Sequence, residues 1–292
     1  MTHEGRYSVI DFAEAMVVFA GQPKDAFEIS EGVAVASRAV EWGVSSKTVE
    51  ALFNRISEGV VALIVRLDID RPYGKSPVHR HVLTRLSSDL YCPKVRAFGY
   101  LKELEEMLQS LNEKRARAYV FFRRCTFPST NVMKLLEQGG HEIGLHLEDS
   151  RSFTSFIREK VMLERHIGRR VWAFSKHGSG GGKYGYHHYA PYEPQRYLGW
   201  AHEGGIRLFL GNLEDPTLKP ELGPGGVLNF PSAFWLEPHW RDTAAFTIDW
   251  LMTHAQNRDI VLLVHPENVL ESPELSRAFN RLISGLETKI FS

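Results

Sequence analysis

Asp68 and Asp70 stand two positions apart in the stretch RLDID, at the end of an apolar run. In an extended chain, residues two apart share a face. Two carboxylates held side by side in a partly buried place repel each other, so a cation, a shared proton or an arginine must relieve the cost. Arg66 lies on the same face and is one candidate; a divalent metal is the other. The second stretch is GGHEIGLHLED, Gly139 to Asp149, with two histidines among carboxylates. His141 and His146 are five apart, so as strand residues they point to opposite faces. They would diverge in a helix as well, unlike the spacing of four in HExxH. One of them is therefore a ligand, and His146, at the carboxyl end of the strand, is better placed. His141 is expected to be structural. Glu142, Gly144 and Glu148 share the face of His146.

Two further histidines follow apolar runs. His177 comes after VWAFSK and opens HGSGGGKYG. A phosphate loop needs G-x-x-x-x-G-K-[ST]. Here Lys183 is followed by Tyr184 and the glycine spacing is wrong. A dinucleotide-binding turn fails too, because the glycines open no obvious helix. A flexible rim beside a ligand fits better, with glycines that let substrate approach closely. His265 directly follows IVLLV and precedes Pro266, where it can give or take a proton near neutral pH.

These residues need elements to position them. Seven short apolar, β-branched runs are predicted strands: 60–70, 116–122, 142–148, 170–178, 206–212, 226–232 and 259–266. Helical patterns lie between them, over 100–114, 131–140, 153–168, 194–205, 243–257 and 272–287, with an earlier one over 45–59. Alternating strands and helices imply parallel pairing with right-handed crossovers. Strands apolar through most of their length suit a sheet covered on both faces. Seven units point to an α/β fold, a distorted (β/α)7 barrel, with an open doubly wound sheet as the alternative. Residues 1–58 are predicted to be an N-terminal helical extension, and 59–292 the barrel. Polar residues gather where the strands end: Asp68 and Asp70, Arg123 and Arg124, His146 and Glu148, His177, Asn212 and Glu214, His265. In parallel α/β folds the site lies at those carboxyl ends.

Composition narrows the function classes. Lys+Arg and Asp+Glu balance at 35 each, so no extended basic surface for nucleic acid is expected. No stretch approaches the ~20 apolar residues of a membrane span. The N-terminus has acidic Asp11 and Glu14 before a short apolar run, which does not read as a signal peptide. Two cysteines without CxxC spacing fit a reducing cytoplasm. With 13 histidines, a metal site here would be built from His and carboxylate.

In this order the pieces resemble the polysaccharide deacetylase family, carbohydrate esterase family 4, with the NodB-homology fold. GHEIGLH matches its second motif closely, RLDID looks like a spaced form of its paired aspartates, and VLLVHP matches its last motif. The resemblance runs from about Val60 to Pro266 and is that of a divergent branch. It implies Asp68 as general base, Asp70 and His146 as metal ligands and His265 as general acid. The family's second motif histidine corresponds to Ser150, and its third motif departs at FSKHGSG. His177 is the expected replacement ligand, with Glu148 in reserve. Asp70, His146 and His177 would suit a divalent ion, zinc first, with a position left for water. Arg66 or Arg124 would stand in for the family arginine that orients the base. Tyr73, Tyr184, His188 and Trp235, with Arg66, Arg124 and Glu148, are the expected substrate-binding residues.

The expected function is metal-dependent hydrolysis of an acetyl or other small acyl amide on an amino sugar or sugar-like molecule. Without an export signal, an activated, nucleotide-linked amino sugar is preferred over a cell-wall polymer. A non-carbohydrate amide and a non-catalytic sugar-binding protein are the alternatives. The N-terminal segment is a candidate to close the barrel bottom, complete the pocket or form a homo-oligomer contact.

Overall fold

The computed structural model describes residues 62–292 apart from Ser76, Pro93, Lys183 and Ser292. The expected helical extension over 1–58 lies outside the described residues. All seven expected strand runs form strands. They are β1 (Leu63–Ile69), β2 (Ala118–Phe122), β3 (Glu142–Leu147), β4 (Ala173–Lys176), β5 (Leu208–Leu213), β7 (Leu228–Ser232) and β9 (Ile260–Val264). Two short pieces join them: β6 (Glu221–Leu222), antiparallel to β7, and β8 (Phe234–Trp235).

The sheet order is β6-β7-β5-β4-β3-β2-β1-β9-β8, and every pairing except β6 with β7 is parallel. Only Ala233 separates β7 from β8. This one run pairs with β5 through β7 and with β9 through β8. The order therefore returns on itself, and the sheet curls into the distorted (β/α)7 barrel that the alternation of runs predicts.

Strand alternation divides the apolar residues into two cores. Leu63, Val65, Leu67 and Ile69 of β1 face outward and pack with helix residues such as Leu104, Leu108 and Leu282. Ile64, Tyr119, Phe121, Leu208, Leu210, Val261 and Leu263 form the second cluster, inside the barrel. The outer helices are α1 (Val78–Leu90), α2 (Lys102–Glu113), α3 (Thr130–Gly139), α4 (Phe153–Ile167), α5 (Pro194–Glu203), α6 (Ile248–His254), α7 (Pro266–Glu271) and α8 (Pro273–Gly285). The buried stripe of α2, Leu104, Met107, Leu108 and Leu111, repeats at helical spacing. Each such side chain contributes about 1.5–3 kcal/mol by leaving water. Among the described residues, no helix is long and apolar enough to cross a membrane.

Two helical expectations change. The pattern over 243–257 shortens to α6, because Thr247 caps that helix by accepting from the Trp250 N–H at 3.0 Å. Asp242 turns the preceding residues by accepting from the Ala244 and Ala245 N–H groups. Helix α1 was not among the expected helices. It follows β1 without a side-chain cap, and Val78, Val82, Leu86 and Leu90 on one of its faces are exposed.

Gly144 explains one letter of GHEIGLH. It sits on the interior face of β3, and a Cβ there would overlap the Phe121 ring. Gly144→Ala should overfill the inner core and cost about 1–3 kcal/mol. The check is a lower denaturant midpoint with an unchanged slope.

Candidate active site

The carboxyl ends of the strands converge on a cavity of about 210 Å³, lined by Asp68, Asp70, His146, His177, Trp235 and His265 among others. Interior parity brings Asp68 from β1 and His146 from β3 inward. Asp70, His177 and His265 each follow a strand directly or nearly so.

Asp70 is the hub. Its Oδ1 lies 3.1 Å from His146 Nε2 and 2.9 Å from His177 Nδ1. Those two nitrogens are 3.2 Å apart. Its Oδ2 lies 3.5 Å from His265 Nε2. Burial disfavours ionisation of Asp70, but His177 and His146 outweigh it and hold the carboxyl well below the usual range. Asp70, His146 and His177 each offer one ligand atom, all within 4.8 Å of one another.

Asp68 is fixed from below. Arg66 donates to it through both arms of the guanidinium, Nε to Oδ1 at 2.9 Å and Nη2 to Oδ2 at 2.6 Å. Arg66 also donates across the barrel to the carbonyls of Leu210 and Gly211 and to Asn212 Oδ1. Ser175 Oγ makes a long 3.4 Å bond to Asp68 Oδ1 and lies 2.7 Å from His146 Nδ1. A Ser175 hydroxyl that donates to Asp68 accepts from His146 Nδ1–H, the tautomer that frees the Nε2 lone pair for a cation in place of its hydrogen bond to Asp70.

His265 is built as a cation. Burial lowers its pKa, but Glu237, with its Oε1 2.8 Å from Nδ1, and then Asp70 raise it to about 10. Asn268 donates to the same Glu237 oxygen at 2.7 Å. Glu267, buried beside His265, has its pKa pushed up to about 7 by burial.

A divalent cation suits the donor types, one carboxylate oxygen and two imidazole nitrogens. One contact opposes it. Arg123 Nη1 lies 3.1 Å from His177 Nε2. A guanidinium only donates, so Nε2 accepts and the ring proton sits on Nδ1, facing Asp70. A cation on Nδ1 moves that proton to Nε2 and makes Arg123 release the ring. Burial, then the Arg123 charge, holds the His177 pKa well below its usual value, so the ring is neutral as a ligand must be.

The remaining expected residues are scattered. Tyr184 and Trp235 line the cavity. Tyr73, expected on the rim, is fully buried, its ring against Tyr100 and its hydroxyl accepting from the Val95 N–H at 2.9 Å. An aromatic ring gains more from that outer core than from solvent. Arg66 lies inside the barrel and binds Asp68, not the cavity wall. Arg124 turns away, its guanidinium 4.0 Å over the Tyr91 ring. Glu148 is buried and tied to Arg123, so it does not reach the cluster. His188 sits behind the site, against the His177 carbonyl and Lys176 Nζ. Ser150 is buried near the Tyr197 hydroxyl, and His141 takes the Ala118 N–H on Nδ1.

Sequence reasoning missed Ser175, Glu237 and Glu267, and it placed Arg123 among the strand-end residues without giving it a role. Ser175 carried a usable signal, since it lies two before His177 and shares its face. Arg123 carried another, because it follows the apolar run AYVFF directly. Glu237 lies in the bend after β8 and Glu267 in the first turn of α7, where strand alternation says nothing.

No family model matches the chain, and no curated protein matches it. Among solved structures it is similar to a family 4 acetyl xylan esterase from Clostridium thermocellum in complex with a cobalt ion. That match has 11% identity and a TM-score of 0.34, over 76% of this chain and 80% of that one. A candidate glycoside hydrolase/deacetylase from Parabacteroides distasonis matches at 10% identity and TM-score 0.42, over 77% and 66%. A candidate fructose-1,6-bisphosphate aldolase from Coccidioides immitis matches at 9% and 0.31, over 77% and 89%. At these values the activities of those proteins stay with them, and the barrel stands on its own strand order.

Proposed function

We propose that this chain is a metal-dependent amide hydrolase that removes an acetyl or other small acyl group from an amino sugar or sugar-like small molecule. The observation that carries the reading is the Asp70–His146–His177 cluster, with arginine-held Asp68 on one flank and cationic His265 on the other. A divalent ion, zinc first, held by those three residues supplies Lewis acidity toward the amide carbonyl and makes water a better nucleophile.

The chain's own residues do the rest. Asp68, oriented by Arg66 and Ser175, accepts the proton that water loses as its oxygen bonds to the carbonyl carbon. His265 delivers its proton to the amide nitrogen as the C–N bond breaks, giving a carboxylic acid and an amine. Glu237 keeps that proton in place until then. Trp235 and Trp240, with ring centroids 5.7 Å apart, give the cavity an apolar wall against which a sugar face can lie.

The Arg123–His177 contact favours a second reading, a metal-free binding protein in which Arg123 takes the place of the ion. Metal content separates the two. After reconstitution and desalting, the wild type should hold about one zinc-like ion per chain. His146→Ala and His177→Ala should lose it, and chelated protein should release no amine from acetylated substrates. A wild type that stays metal-free after reconstitution sinks the hydrolase and promotes the binding protein.

A further inference from the structure

A second cavity, also of about 210 Å³, opens beside the first. It shares Asp70, Arg71 and His177 with it and adds His81, Arg85 and Arg123. Its lining holds three guanidinium groups against one carboxylate, in a chain whose charges balance at 35 of each sign. The arginines are only partly compensated. Arg71 Nε is 3.8 Å from Glu267, and Arg85 Nε is 3.6 Å from Asp89. Arg123 is paired with Glu148, yet its buried Nε has no hydrogen-bond partner among the described residues.

Guanidinium groups only donate, and their planar forks match the oxygens of carboxylates and phosphates. A neutral sugar offers this cavity nothing of that kind. Because Asp70 and His177 line both cavities, one small molecule can hold an anionic group in the second while its reacting bond reaches the first.

We infer that the second cavity receives a fixed anionic group of the substrate, a phosphomonoester or a carboxylate, and that Arg71 and Arg85 determine this specificity. The inference rests on the amide-hydrolase reading for the reacting bond. It narrows the substrate to a small charged amide and disfavours a neutral polymer.

Three acetamides test it: a neutral N-acetylamino sugar, its phosphomonoester and an N-acetylamino acid. With the wild type, kcat/KM should favour an anionic amide over the neutral one by roughly ten-fold or more. Which anion wins identifies the source of the charge. Arg85→Gln and Arg71→Gln should each erase most of the preference, and raised salt should weaken it. The Arg85 side chain is largely exposed, so its replacement spares the fold. Equal kcat/KM for all three overturns the inference and leaves the hydrolase standing. If no amide is turned over, the hydrolase reading has failed, and calorimetry with inorganic phosphate judges the cavity alone. Phosphate binding that weakens about ten-fold in Arg85→Gln supports the anion site; no binding at millimolar phosphate overturns it.

Discussion

Arg66→Met should lower the unfolding free energy by about 3–5 kcal/mol, the cost of breaking one side of a buried ion pair. Arg66 is fully buried and Asp68 nearly so. Methionine leaves the Asp68 carboxylate without its two guanidinium donors and with only the long bond from Ser175. It also strips one each from the carbonyls of Leu210 and Gly211 and from Asn212. The double variant Arg66→Met/Asp68→Asn removes the lone charge and should recover much of the loss. A denaturation cycle over the four proteins measures the coupling. A single-variant cost within about 0.5 kcal/mol, the scale of an ordinary surface change, is incompatible with Arg66 as a cross-brace.

His265→Ala and Asp68→Asn should each lower kcat/KM by roughly 10²–10⁴-fold, the usual contribution of a positioned acid or base. Both should keep their metal, which separates them from the ligand variants. Glu237→Gln acts through His265. Burial alone lowers the His265 pKa, and the Glu237 charge is the largest influence raising it to about 10. Without that charge the imidazolium loses its proton at lower pH. The alkaline limb of the kcat/KM profile should therefore move toward neutrality, with little change below it. An unmoved limb shows that His265 is not the acid.

Strand parity makes much of the site legible in the sequence. It separates His146 from His141 and puts Asp68 beside Asp70, while the apolar runs alternating with helical patterns number the seven main strands of the barrel. Depth was not legible. Arg66 and Asp68 share a face, but Arg66 sits one step further in, beside β5 carbonyls, and depth depends on how strands register against one another. Turns were not legible either. Tyr73 read as a rim residue because it follows a polar strand end, yet its ring packs on Tyr100. His177 stood out at a strand end, and its role as a ligand came from the resemblance, by the gap left at Ser150. The arginine that competes for its ring was not, since Arg123 arrives from a different strand and only the packed fold makes them neighbours.

The position of β9 bears on how the protein is made. β1 lies between β2 and β9, and the bond from Ala62 N–H to Asp259 links residues 197 positions apart. During synthesis, β1 therefore gains β2 early and waits for its other neighbour until almost the whole barrel has left the ribosome. Contacts of such long range slow folding and leave an unpaired strand edge in the interim. That edge carries Arg66 and Asp68, whose charges discourage other chains from pairing with it. The pair that braces the finished barrel would then serve a second purpose, as the inward-pointing charge that disfavours edge pairing while the last strand is missing.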